Sequence, residues 1–197
     1  MSRGPRPLLS SDRNASLDDA VLVDRVADGD HASLEVLVLR HGGRVANFLS
    51  HLLEDRSWVD DLVQEVFVRL CLRARSYDPR WPLPVWLLRI ARNLAVDLMR
   101  RERARLRAHR GAAERTRDEV APAADRHAQD RELGVALGAA LRRLPEAFRT
   151  AFVLREIEVL HYEEIAAIMG TSEKTVSTRL HRARSRLREI LGEYLEP

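Results

Sequence analysis

Apolar residues recur every three or four positions along two stretches of the chain, and this spacing predicts amphipathic helices. The first stretch covers residues 17–110 and the second covers residues 131–197. Residues 111–130 lose the apolar period and are rich in small, charged and proline residues, which is typical of a flexible linker. We therefore predict an all-α fold, with two small helical domains joined by a flexible linker and no strand.

Proline interrupts the first helical stretch at the segment YDPRWPLPVW, residues 77–86. Pro79, Pro82 and Pro84 fall within six residues, so we expect this segment to lie outside the helices. In the second stretch, Pro145 is expected just inside the start of a helix, where proline is favoured.

The chain ends and the composition exclude several classes of protein. Residues 1–16 are polar and lack the apolar core of a signal peptide, so we expect a disordered tail. No apolar run approaches the roughly 18 residues that cross a bilayer. We therefore expect a cytoplasmic protein without membrane insertion.

Cys71 is the single cysteine, so no disulfide is expected. His31, His41 and His51 are too far apart to bind one metal from one helix, so no metal site or cofactor is expected.

A helix-turn-helix is predicted between residues 161 and 190. Ala166, Gly170 and Val176 have the spacing of this motif, because a small residue lets the helices cross and glycine accepts a left-handed turn. Thr171 or Ser172 can cap the second helix.

The second helix of this motif has three distinct faces at 3.6 residues per turn. The inward face is apolar and consists of Val176, Leu180, Ala183 and Leu187. The opposite face is polar and consists of Lys174, Thr178, His181, Arg182 and Ser185. Ser177 and Arg184 flank one side of the polar face, and Arg179 and Arg186 flank the other. A solvated helix held by ion pairs is disfavoured since this face lacks acidic partners, so the layout indicates a helix that reads DNA between phosphate contacts.

A second basic helix is predicted between Arg89 and Arg110, where eight arginines face two acidic residues. Two basic helices on one tether indicate two contacts with a duplex.

Three stretches of the sequence resemble segments of a bacterial RNA polymerase sigma factor: DDLVQEVFVRL, WLLRIARNLAVDLMRR and LPEAFRTAFVLREIEVLHYEEIAAIMG. The two-domain layout resembles the extracytoplasmic-function (ECF) subgroup of the sigma-70 family, with region 2 at residues 17–110 and region 4 at residues 131–197. The resemblance covers the chain from about residue 17 to 190 and implies a promoter-specificity subunit that is not an enzyme.

The resemblance also implies roles for individual residues. It assigns recognition of the −35 element to Lys174, Ser177, Thr178, Arg179, His181, Arg182 and Arg186. It assigns capture of the −10 element to Trp81, Arg89, Arg92, Asn93, Arg100, Arg101 and Arg103. It assigns polymerase binding to Asp60, Asp61, Gln64 and Glu65. The implied partners are core RNA polymerase, at the clamp coiled coil of its largest subunit and at the flap, then promoter DNA and an anti-sigma factor.

Two other functions remain open at this point. A stand-alone helix-turn-helix regulator would bind DNA without polymerase, but it has no reason to contain the DDLVQEVF and WLLRIARN motifs. A nuclease would need a carboxylate cluster, a Cys/His pair or a glycine-rich phosphate loop, and none is evident in the sequence.

Overall fold

The computed structural model of the protein describes residues 17–109 and 128–195. Within these two ranges every regular element is helical and no strand occurs, which confirms the all-α prediction. The predicted disordered tail, residues 1–16, lies outside the described residues, as does the predicted linker up to residue 127. The rest of that predicted linker is helical, because the first helix after the gap begins at Ala128.

The described part of the N-terminal domain contains four α-helices and two short 3₁₀ turns. They are α1 (Asp19–Ala27), α2 (His31–Leu52), a turn (Arg56–Trp58), α3 (Val59–Arg73), a second turn (Ala74–Ser76) and α4 (Leu83–His109). Helix α2 begins at Asp30, whose carboxylate accepts hydrogen bonds from the Ala32 amide at 3.0 Å and the Ser33 hydroxyl at 2.7 Å. Helix α2 packs against α1, α3 and α4, and Phe48 and Leu87 are fully buried in the core.

The proline-rich segment differs from its prediction at one position. Helix α4 begins at Leu83, so Pro84 lies in its first turn rather than outside the helix. An amide in the first turn has no acceptor within the helix, and proline therefore loses no hydrogen bond there. Pro145 was predicted just inside the start of a helix. It lies instead just before the helix, which begins at Glu146.

The described part of the C-terminal domain is also helical. It contains α5 (Ala128–Arg143), α6 (Glu146–Phe152), a π-helical turn (Val153–Ile157), α7 (Tyr162–Met169) and α8 (Glu173–Leu195). Helix α8 packs against α5, α6 and α7, and its buried residues meet Leu154 and Ile165 in a small core.

The two domains are in contact. Helix α4 lies against α7, and helix α2 lies against α5, α6 and the π-helical turn. Arg44 in α2 donates a hydrogen bond from Nε to the Glu158 carboxylate at 2.6 Å, and Arg92 in α4 lies 3.4 Å from the Glu146 carboxylate. The chain therefore folds back so that both domains share one interface.

The loop between the π-helical turn and α7 contains a strained residue. Val159 has a φ of 57° and its side chain is exposed, so the valine gains little from packing. This left-handed conformation costs a residue with a Cβ about 1–2 kcal/mol, and glycine avoids the clash.

We expect Val159→Gly to raise the free energy of unfolding, measured by thermal melting, by somewhat less than that strain because glycine also loses more backbone entropy. Val21→Gly, at an exposed valine within α1, should instead lower it. Equal losses in both variants would contradict the assignment of strain at Val159.

A buried histidine predicts how stability changes with pH. Burial lowers the pKa of His41 below its ordinary value, although the Asp19 carboxylate, 2.8 Å from Nε2, opposes this shift. The unfolded chain then binds more protons than the folded chain, so stability decreases as the pH falls below about 6.5. We expect His41→Gln to flatten this dependence in urea unfolding from about pH 7.5 to about pH 5. The matched variant His31→Gln, at an exposed histidine, should keep the original slope, and the same slope in both would refute the prediction.

Candidate nucleic-acid interface

Helix α8 is positioned by the predicted turn. Gly170 has a φ of 61° and a ψ of 45°, the left-handed conformation that the spacing predicted. The Ser172 hydroxyl accepts a hydrogen bond from the Thr175 amide at 3.3 Å, so Ser172 rather than Thr171 caps the helix. The predicted inward face is confirmed, since all four of its side chains are buried: Val176, Leu180, Ala183 and Leu187. These contacts fix which side of α8 faces outward.

The outward face of α8 is free of acidic partners near its centre. Lys174, Ser177, Thr178, His181 and Arg182 are exposed. The Thr178 hydroxyl donates to the Lys174 carbonyl within the helix at 3.0 Å. Arg182 forms no hydrogen bond or ion pair with any described residue, so its five N–H donors are available to a ligand.

Three arginines beside this face have contacts within the protein. Arg184 pairs with Glu156 at 2.5 Å, and this hydrogen bond raises the pKa of Arg184 above its ordinary value. Arg186 lies over the Phe148 ring, with 5.8 Å between the guanidinium carbon and the ring centroid. Arg179 is half-buried, with Nη1 4.0 Å from the Met169 sulfur. Contacts within the C-terminal domain therefore hold these three arginines in place. The sequence analysis did not predict Glu156 as a partner of Arg184, because the two residues are distant in the sequence.

The other predicted basic helix, α4, presents an open groove. This groove has a volume of about 400 Å³ and lies between α3, the proline-rich segment and α4. Asn93, Arg89 and Trp81, all predicted for the −10 element, line it together. Asn93 and Arg89 are exposed, whereas Trp81 is half-buried. The groove thus places an amide, a cation and an aromatic ring within reach of one ligand.

The structure adds two arginines to the groove that sequence reasoning missed. Arg69 and Arg73 of α3 line the groove, and their spacing of four residues on one helix was the available signal. Trp86 lines the groove while also packing against the core, and its ring centroid lies 5.6 Å from that of Tyr77. The Tyr77 hydroxyl donates to the Trp81 carbonyl at 2.8 Å, which ties the proline-rich segment to the groove wall.

The remaining predicted −10 residues differ in environment. Arg100, Arg101 and Arg103 are exposed along the second half of α4. Arg100 lies 3.9 Å from the Asp97 carboxylate, a contact that contributes little in solvent. Arg92 instead is half-buried at the domain interface, where it pairs with Glu146. The structure therefore leaves Arg100, Arg101 and Arg103 exposed on α4 and separates Arg92 from them.

The predicted polymerase-binding residues lie on α3, away from its buried face. Asp60, Asp61 and Gln64 are exposed, and Glu65 is half-buried and pairs with Arg69 at 2.8 Å. Val68 and Leu72 continue the face of Asp61 along the helix, and their side chains are 50% and 79% exposed. This mixed acidic and apolar face has the composition of a protein-binding surface.

Known protein families match both domains of the chain. The model of sigma-70 region 2 matches residues 37–105, and the model of sigma-70 region 4 matches residues 134–187. The chain is 34% identical to the RNA polymerase sigma factor CarQ of Myxococcus xanthus, over 87% of this chain and 96% of that protein. The ECF RNA polymerase sigma-E factor of Escherichia coli (strain K12) is 34% identical over 85% of this chain and 91% of that protein. The chain belongs to the ECF sigma factors. Members of this family are transcription regulators and not enzymes.

A second ECF relative and two solved structures support the same assignment. The ECF RNA polymerase sigma factor SigE of Mycolicibacterium smegmatis is 39% identical over 85% of this chain, which spans only 66% of SigE. The structure of CnrH in complex with the cytosolic domain of CnrY has a TM-score of 0.66 at 29% identity, covering 89% of this chain and 97% of that one. The sigma factor RpoE in complex with the anti-sigma factor NepR from Bartonella quintana has a TM-score of 0.64 at 26% identity, covering 80% and 96%.

None of the helices in residues 17–109 and 128–195 is long and apolar enough to span a membrane.

Proposed function

We propose that this ECF sigma factor binds core RNA polymerase and directs it to promoters with a −35 and a −10 element. Helix α8 would enter the major groove of the −35 element, with Ser177, Thr178, His181 and Arg182 at base edges and Lys174, Arg179 and Arg186 at phosphates. The observation that carries this proposal is the exposed polar face of α8, where the Arg182 guanidinium has no partner among the described residues.

The groove on α4 would capture the melted −10 strand. Asn93 would form hydrogen bonds with a base edge, and Trp81 offers a ring for stacking, which together offset the cost of unstacking. Arg89 supports this role because its cation lines the same groove, and Arg100, Arg101 and Arg103 would contact phosphates of the adjoining duplex.

The face of α3 would bind the clamp coiled coil of the largest polymerase subunit. Asp60, Asp61 and Gln64 would meet basic or polar groups, and the neighbouring exposed apolar side chains would be buried in the complex. The C-terminal domain would bind the flap. An anti-sigma factor is a further proposed partner, supported by the fold shared with RpoE, which was solved with the anti-sigma factor NepR.

A pair of variants separates base reading from phosphate binding on α8. We expect Arg182→Ala to weaken holoenzyme binding to matched −35 DNA by about 1–3 kcal/mol, with little loss on scrambled DNA. Lys174→Ala should weaken binding to both by a similar factor, since phosphates carry no sequence information. Gel-shift titration of the two variants on both duplexes measures this. Equal losses for Arg182→Ala on matched and scrambled DNA would remove its base-reading role.

A further inference from the structure

Among the described residues, one arginine of α8 is bound to a carboxylate. Nη2 of Arg184 lies 2.5 Å from Oε1 of Glu156, and the two side chains are 47% and 38% exposed. The other arginines of α8 form no ion pair with any described residue: Arg179, Arg182, Arg186 and Arg188. Arg184 is therefore the arginine of this helix whose charge is compensated by a carboxylate of the same domain.

Two segments outside α8 keep Arg184 in this position. Glu156 belongs to the π-helical turn, and Tyr162 is the first residue of α7. The Tyr162 hydroxyl lies within hydrogen-bonding reach of Arg184. The Tyr162 ring in turn lies under Arg155, whose guanidinium carbon is 5.5 Å from the ring centroid. The Arg184 guanidinium is therefore tied to the π-helical turn and to the first helix of the helix-turn-helix, and it does not rotate freely around α8.

Arg184 lies at one side of the polar face of α8. Two turns of the helix separate it from Ser177, so the two residues lie on the same side of that face. A helix in the major groove lies between two phosphate backbones, and residues at the sides of its polar face approach them. The first helix of a helix-turn-helix crosses one of these backbones. Because Arg184 reaches from α8 to the start of α7, it lies where both helices would meet that backbone.

The contact with Glu156 uses only part of the hydrogen-bonding capacity of Arg184. A guanidinium group has five N–H donors, and Glu156 accepts a hydrogen bond from Nη2. The remaining donors can contact a phosphate while this bond is kept, since they lie on more than one edge of the planar group. A carboxylate without the arginine would instead repel the phosphate. The pair can therefore connect Glu156, through Arg184, to a phosphate of the DNA.

An arginine that is held in place responds to the position of the duplex. Phosphate contacts carry no sequence information directly, but they fix the register and orientation of a protein on DNA. A long cationic side chain that moves freely can reach phosphates in many registers, which favours non-specific binding. Arg184, tied to Glu156, reaches a phosphate only when α8 lies at one depth and angle in the groove. We expect this to be the position in which Arg182 meets a base edge.

We propose that Glu156 is a positioning residue for promoter recognition: it holds Arg184 so that this arginine contacts a phosphate only when α8 is correctly placed in the −35 element. The proposal rests on the proposed function, because it requires α8 to be the −35 helix. It goes beyond that function by giving a role in sequence discrimination to a residue that does not itself contact DNA. It predicts that loss of the Glu156 carboxylate lowers the preference for matched over scrambled −35 DNA.

A double-mutant cycle tests whether Glu156 acts through Arg184. Glu156→Gln removes the charge and keeps the size of the side chain. Arg184→Ala and the double variant complete the cycle. Glu163→Gln is the matched control, because it removes the same charge from an exposed position on α7. Circular dichroism verifies that each variant is folded before it is assembled with core polymerase.

Gel-shift titration of each holoenzyme on matched and scrambled −35 duplexes measures the ratio of the two affinities. Glu156→Gln should lower this ratio by about fivefold, within the range of coupling between residues in contact. Its binding to scrambled DNA should also depend more steeply on salt, by about one released counterion, because the freed Arg184 reaches phosphates in any register. Glu163→Gln should leave the ratio unchanged. Glu156→Gln should also leave the ratio unchanged when Arg184 is already alanine.

Three results would overturn the proposal. The first is a ratio that Glu156→Gln does not lower, the second is the same decrease with and without Arg184, and the third is an equal decrease in Glu163→Gln. In each case, an unaltered holoenzyme that still prefers matched DNA would leave the proposed function intact. If the unaltered holoenzyme bound matched and scrambled DNA equally, the proposed function of α8 would fail, and the inference with it.

Discussion

Asp61→Arg is expected to weaken binding to core RNA polymerase by about a hundredfold, or roughly 3 kcal/mol. Asp61 is exposed on α3, and Val68 and Leu72 continue its face along the helix. Reversing the charge places a cation against the surface that the aspartate is proposed to complement. Like charges at an interface cost several kcal/mol. Titration of core polymerase with the fluorescently labelled sigma factor measures the change in affinity.

The matched control for this variant is Asp24→Arg. Asp24 is exposed on α1 of the same domain, and its replacement changes the net charge by the same amount. Asp24→Arg should bind core polymerase like the unaltered chain. Equal losses in both variants would show that only overall charge matters, and no loss in Asp61→Arg would refute the role of the α3 face.

Leu180→Ala is expected to lower the stability of the C-terminal domain by about 2–5 kcal/mol. Leu180 is fully buried on the inward face of α8, so the truncation leaves a cavity in the small core that holds the recognition helix. Because Trp58, Trp81 and Trp86 all lie in the N-terminal domain, tryptophan fluorescence reports on that domain while circular dichroism reports on both. Urea unfolding followed by both signals should show helix loss at a lower urea concentration than in the unaltered chain.

Leu106→Ala is the control for the same side-chain change. Leu106 lies on α4 and is 54% exposed, so its truncation removes little buried area. Its unfolding midpoint should stay close to that of the unaltered chain. If Leu180→Ala unfolded at the same urea concentration as Leu106→Ala, the inward face of α8 would be wrongly assigned.

Local features of the sequence were sufficient to predict the helices and the helix-turn-helix. The spacing of Val176, Leu180, Ala183 and Leu187 predicted the inward face of α8, because period and burial are coupled in an amphipathic helix. Gly170 was predictable for a similar reason, since its left-handed backbone favours glycine. Val159 also has a positive φ, yet nothing in its residue type signals it.

The sequence pattern could not predict contacts between residues that are distant in the chain. Arg44 and Glu158 are 114 positions apart, and their pairing depends on how the two domains dock. The sequence pattern predicted no acidic partner for Arg184, because Glu156 lies on a different helical segment, 28 positions earlier. The family resemblance assigned Arg92 to the −10 strand, and only the docked domain shows that Glu146 reaches it. Helix periodicity therefore predicts the site residues within one element and not their partners across the interface.

In-vitro transcription from a random promoter library, using core polymerase with and without this chain, tests the central claim most directly. The account predicts transcripts that depend on the chain and whose templates share two sequence elements at a fixed separation. Asp61→Arg should reduce all of these transcripts, and Arg182→Ala should reduce them according to their −35 sequence. Identical transcripts with and without the chain would contradict the account.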